Sequence, residues 1–227
     1  MIKYILFFSL LFVSGFIYSQ TKEYEAPDYK AIQKNIENKD SEYYYPKLMD
    51  KLKANDTLIT SDQYRHLYFG YTFQKDYHPY KTSENDKKLI PYFQSKDLKK
   101  SDYAEIIKIS NASLKEFPLN LRVMNFLGYI YHLDGNEAMA NKVSQNFYGL
   151  FGAIFSSGDG RDCASGFHVI AVSHEYVVMN MLKLEIASQS LTGDCDYLAL
   201  EKDKYKLPGV YFNITKLKEK GFDFLNH

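Results

Sequence analysis

The sequence predicts an α+β fold, with an N-terminal helical region containing one close helix pair and, after it, a small, mostly antiparallel sheet. Three observations carry that expectation. Up to about residue 155, apolar residues recur at helical spacing behind cap-like residues, as at Tyr64, Leu67, Tyr68 and Tyr71. Beyond it, Phe167–Ser173 is β-rich, and Asp196–Leu200 and Val210–Ile214 read as further strands. Between the two regions, Ser156-Ser157-Gly158-Asp159-Gly160 has the composition of a loop.

Residues 1–19 read as a signal peptide. Lys3 supplies a minimal positive start, and the apolar run from Tyr4 to Ile17 is 14 residues long, broken by Ser14 and Gly15. A bilayer span takes about 20 apolar residues, so the run fits a secretory leader. Small Ser19 places the cut before Gln20, with a shift of one or two residues allowed; a retained N-terminal anchor is the competing reading. Lipid attachment at the cut would need a cysteine there, and the only cysteines are Cys163 and Cys195.

Residues 20–155 form the helical region. Pro27 and Asp28 open a first helix that ends near Lys39. Ser41 is expected to cap a second, running through Tyr43-Tyr44-Tyr45-Pro46 to about Asn55. Thr60 and Gln63 make a capping box, while Ser83 and Ser101 are N-cap candidates for two more helices. Pro118 separates the helix around Ile106, Ile107 and Leu114 from the next. Gly128 and Ala140 lack bulk, so the helices on either side of the Asp134-Gly135 turn, between about Leu119 and Phe151, are expected to pack closely. With Tyr131 and Gly135, their spacing resembles a tetratricopeptide repeat over about 34 residues, departing from it at Ser144, where a large apolar residue is usual. A solenoid of that type needs about three repeats, so the pair is read as a hairpin inside a compact helical region.

Residues 156–227 form the β-rich region, expected to share one core with the helices. A short helix from His174 to Leu184 separates its first two strands, and Pro208-Gly209 punctuates the last connection.

Composition narrows the function classes. Lysine plus arginine equals aspartate plus glutamate at 28 each, so no net charge steers the chain to nucleic acid or an anionic membrane. No second apolar stretch is long enough to cross a bilayer. Twenty-one tyrosines, 16 phenylalanines and no tryptophan make either a tyrosine-rich core, whose hydroxyls reach the surface, or an aromatic ligand surface. Two cysteines in an exported chain suggest a Cys163–Cys195 disulfide closing about 33 residues; two free thiols are the alternative.

Several separated motifs resemble one family. Tyr43-Tyr44-Tyr45-Pro46-Lys47-Leu48-Met49, Asn55-Asp56-Thr57 and Tyr64-Arg65-His66-Leu67-Tyr68-Phe69-Gly70-Tyr71 are followed by Gly158-Asp159-Gly160, His174-Glu175-Tyr176 and Gln189-Ser190-Leu191. Together they look like a secreted bacterial family, domain of unknown function 4919. The resemblance implies export and a single-family architecture, and it brings no catalytic residue, substrate or cofactor.

Chemistry at specific residues is sparse. His174-Glu175 starts like a zinc-hydrolase helix, but Val178 stands where the second histidine belongs. If 168–174 is extended, His168 and His174 lie about 20 Å apart, too far to share a metal. His174 and Glu175 remain an acid/base candidate, Asp159 and Asp162 a carboxylate pair, and Cys163 with His168 a thiol and base. Arg65, His66, Tyr77 and His78 are the binding candidates, because arginine and tyrosine are enriched in interaction hot spots. The expected function is a non-catalytic binding or scaffold protein of the periplasm or extracellular space, with no cofactor, whose partner is a protein, peptide or glycan of the cell envelope. The alternative is a hydrolase with a site at the helix–sheet junction.

Overall fold

The computed structural model describes residues 24–221. The expected leader and its cleavage site lie outside them. The first helix, α1 (Tyr29–Glu37), starts where Asp28 accepts hydrogen bonds from the backbone N–H groups of Lys30 and Ala31. The second, α2 (Tyr45–Lys53), begins later than expected. Pro46 sits in its first turn, where a missing N–H costs nothing, and Ser41 instead accepts from the Tyr43 N–H in the turn ahead. Helix α3 (Ser61–Gly70) opens with the reciprocal Thr60–Gln63 box. Its Tyr64, Leu67 and Tyr68, with Tyr71 just beyond, are buried, so the aromatic stripe is core.

Ser83 and Ser101 do not cap helices. Ser83 Oγ accepts from the Asn85 N–H ahead of α4 (Asp86–Gln94), and Ser101 lies in a short 3-10 turn leading into α5 (Tyr103–Glu116). The capping role passes to longer-range chemistry. Asp86 accepts from the Ser83 N–H, from Ser113 Oγ and from Asn120 Nδ2, and Asn120 is itself the N-cap of α6 (Leu121–Leu133). One carboxylate thus joins α4, α5 and α6. Helix α7 (Glu137–Phe155) follows through a turn in which Gly135 takes a left-handed φ of 81°. At the α6–α7 contact a Cβ on Gly128 would stand 2.7 Å from Ser144 Oγ. Ser144, the departure from the repeat pattern, is the residue packed against the glycine.

Four strands follow: β1 (Phe167–His168), β2 (Ile186–Thr192), β3 (Cys195–Leu200) and β4 (Gly209–Asn213). Their order is β1-β4-β3-β2. β1 runs parallel to β4, and the other two pairings are antiparallel. The expected strand 167–173 is cut to two residues, because the chain turns into helix α8 (Val172–Met181). Strand β2 was not legible in the sequence. Its Ile-Ala-Ser-Gln-Ser-Leu-Thr has weak strand preference, and it is held by pairing with β3 across Gly193-Asp194. A last helix, α9 (Thr215–Gly221), also escapes the sequence reading.

One core takes Leu67 and Tyr68 from α3, Leu127 from α6, Phe147 from α7, Val178 from α8, Leu198 from β3 and Phe212 from β4. A second cluster of Leu89, Ile106, Val123 and Ile130 fills the space between α4, α5 and α6. Cys163 and Cys195 are bridged, with Cα atoms 5.7 Å apart, tying the loop after α7 to the start of β3. Cys163 is therefore no nucleophile for His168.

Candidate functional site

His174 and Glu175 are neighbours on α8 that point into different surroundings. His174 is 1% exposed. Its Nε2–H donates to the Leu119 carbonyl at 3.0 Å, and its Nδ1 accepts from the Tyr68 hydroxyl at 2.8 Å, which fixes the neutral tautomer. Burial lowers its pKa to about 4, against a smaller upward pull from the Leu119 carbonyl. Both ring nitrogens are bonded within the core, and the ring is closed off from solvent. Glu175 is fully buried beside Asp196 of β3. Burial first, and then the Asp196 charge and hydrogen bond, push its pKa up to about 9. Both Glu175 oxygens and Asp196 Oδ1 are buried without a hydrogen-bond partner among the described residues, a setting in which a charged Glu175 is costly. Asp196 Oδ2 also accepts from Gln189 Nε2, and Gln189 Oε1 accepts from the Tyr176 hydroxyl at 2.5 Å.

The other expected site residues are scattered. Asp159 and Asp162 both accept from Ser165, holding the loop after α7 in shape. Arg65 is spent on Ser156 Oγ, at 2.7 Å, and on the Glu25 carbonyl, pinning the segment before α1 to the end of α7. His66 stacks on Tyr43 with ring centroids 3.8 Å apart, and its Nε2 meets Asn35. Tyr77, expected at the surface, is 5% exposed and donates to the Ile170 carbonyl, and its ring belongs to the core. His78 Nδ1 accepts from the Tyr80 N–H. Of these four residues Tyr77 is buried, and Arg65, His66 and His78 are half-buried. Among the described residues no group of three or more histidine, cysteine or acidic side chains is placed to hold a metal.

An open concavity lies elsewhere. A cleft of about 650 Å3 runs between the end of α4, the outer face of α6, helix α8 and the start of β2. From α6 it takes Arg122, Asn125, Phe126 and Tyr129, at helical spacing of 0, 3, 4 and 7. Phe93 closes one end, with its ring 4.8 Å from that of Phe126 and the Arg122 guanidinium 4.2 Å above it. Tyr176, Asn180, Met181, Leu184 and Ile186 make the opposite wall. Tyr129 and Tyr176 are 52% and 45% exposed. Arg122 is the one charged side chain in the lining, and among the described residues it pairs with no carboxylate. The sequence carried a signal for this site. Helix α6 is apolar on two faces; on the second, Phe126 packs partly against the second cluster while Tyr129, beside Arg122, stays half exposed.

A family model described as a domain of unknown function, DUF4919, matches residues 30–221, and the chain belongs to that family. No curated protein and no solved structure matches it.

Proposed function

We propose that this member of the DUF4919 family is an exported, non-catalytic binding protein, and that its ligand occupies the α6–α8 cleft. The observation that carries the reading is the lining of the cleft: aromatic and methionine side chains around a single arginine that pairs with no carboxylate among the described residues. Pockets that bind small ligands or chain termini are largely apolar, with few polar groups that fix orientation. Methionine beside aromatic rings adapts to varied apolar shapes. Arg122, with its guanidinium over Phe93, is presented to receive a carboxylate. The ligand is therefore an apolar body bearing one anionic group. Export is supported by the leader-like start of the sequence and by the disulfide, which belongs to oxidising compartments. Among the described residues no helix is long and apolar enough to cross a membrane. A hydrolase at the helix–sheet junction would need its side chains to converge on open space. Asp159 and Asp162 instead share Ser165 in the loop after α7, while His174 is held by Tyr68 and Leu119 and Glu175 is buried beside Asp196.

The test is calorimetric titration of the chain with alkyl, aryl and peptide carboxylates and their amides, repeated on Arg122→Gln. We expect at least one class of carboxylate to bind, and its affinity to fall about tenfold or more in the variant, the scale of a lost charge-assisted contact. If no class binds, or if the variant binds as well as the parent, the cleft is not the ligand site.

A further inference from the structure

Strand β2 lies at the end of the sheet, paired with β3 on one side and with nothing among the described residues on the other. An outer strand offers alternate N–H and C=O groups to any passing chain, and proteins usually guard such edges with lysine, proline or a covering element. This edge has no such guard. Residues 186–192 contain neither a charge nor a proline, and Ser188 to Thr192 are exposed. The one irregularity in pairing is confined to Ile186/Ser188, leaving the rest of the strand regular.

The cleft starts where β2 starts. Leu184 and Ile186 belong to its wall, and the Tyr176 hydroxyl is bonded to Gln189 on the strand itself. β2 therefore runs away from the cleft. A strand added antiparallel to it runs toward the cleft and delivers its C-terminus there. The one charge waiting in the lining is Arg122, with no acidic side chain beside it.

Resting on the cleft as the ligand site, we infer that the ligand is an extended peptide that adds antiparallel to the free edge of β2 and seats its C-terminal carboxylate on Arg122. Backbone pairing along Ser188–Thr192 supplies sequence-tolerant affinity. The last apolar side chain of the peptide packs among Phe126, Tyr129 and Met181, and this supplies selectivity. At roughly 3.3 Å per residue, about seven residues cover the regular part of the strand and enter the cleft. An alkyl carboxylate would satisfy the cleft alone and leave the unguarded edge without a use, which is why the edge favours a peptide.

The experiment is selection from a heptapeptide library with free C-termini on the full, disulfide-bonded chain, with dodecanoate titrated in parallel. Selected peptides are then made as free acids, as C-terminal amides, and with backbone N-methylation on either of the two alternating sets of amides. We expect selected peptides to end in an apolar residue, and amidation to cost about tenfold or more. One N-methylated set should lose about tenfold or more while the other binds nearly as the parent does, because only alternate amides face β2. Arg122→Gln should bind the acid no better than the amide. If dodecanoate binds through Arg122 and no peptide is selected, the cleft stands as a ligand site and the peptide inference falls. Equal binding by both N-methylated sets and the parent rules out strand addition. If neither peptide nor dodecanoate binds, both readings fall together.

Discussion

His174 and Glu175 are adjacent in sequence, and adjacency is what made them look like a catalytic pair. On a helix, successive side chains are about 100° apart. One here points to Tyr68 and Leu119, the other to Asp196. The sequence gives residue types and spacing, and the destination of each side chain depends on elements far away in the chain. Their burial has opposite consequences for stability. Glu175 has an ordinary value of 4.5 and is pushed up to about 9 by burial and by Asp196. Between those values the native state keeps a proton that the unfolded chain has lost. The stabilisation is whole below about pH 4.5 and is lost as pH rises through about 9. His174 is lowered by burial from 6.5 to about 4. Between about pH 4 and 6.5 the unfolded chain binds the extra proton, so stability falls as pH drops through that window. The two slopes oppose each other from about pH 4.5 to 6.5, and above it Glu175 acts alone. The melting temperature should therefore decline from pH 7 to 9. Glu175→Gln, which keeps the shape and the neutral state, should flatten that decline. A variant with the slope of the parent would show that the proton is not held at Glu175.

At the scale of elements, the α6–α7 pair was readable because Gly128 and Ala140 sit close together in sequence on either side of one turn. Gly149 of α7 was not, because what it makes room for is Tyr64 on α3. A Cβ at Gly149 would fall 2.2 Å from the Tyr64 ring. That ring is held in place, since its hydroxyl donates to Asn146 at 2.7 Å and Asn146 donates in turn to the Leu52 carbonyl. Gly152, one turn further along the same helix, has nothing within 4 Å of its would-be Cβ. The two glycines make a controlled comparison. Gly149→Ala should cost about 1–3 kcal/mol through overpacking, while Gly152→Ala should gain up to about 1 kcal/mol from helix preference. Urea unfolding of both variants checks this. Equal shifts of the midpoint in the same direction would mean that α3 and α7 do not meet at Tyr64. Strand β2 was illegible for a related reason. Its residues are mostly exposed and mix polar with apolar side chains, and its conformation comes from β3 and the two-residue turn between them.

For the whole molecule, fold class was legible because it depends on local periodicity, and the order of helices followed by strands appears along the chain itself. The shared core depends on contacts between regions that no local pattern records, and Phe147, Leu198 and Phe212 meet only in the folded protein. The disulfide lies between these cases: two cysteines allow one pairing, and the structure makes it. Its loop encloses β1, α8 and β2, of which α8 and the start of β2 form one wall of the cleft and β2 the edge beside it. With its ends 32 positions apart, the bridge should remove on the order of 3–4 kcal/mol of freedom from the unfolded chain. A chain of this size shifts its melting midpoint by roughly 2–4 °C per kcal/mol. The Cys163→Ser, Cys195→Ser double variant should therefore melt about 10 °C below the parent. Opening should also be uneven. Hydrogen exchange should accelerate first in the β2–β3 hairpin, whose inner strand begins at Cys195, while α6 and α7, packed on each other outside the loop, keep their protection. A midpoint within about 2 °C of the parent, or protection lost equally in α6–α7 and β2–β3, would show that the bridge does not hold the cleft wall to the rest of the fold.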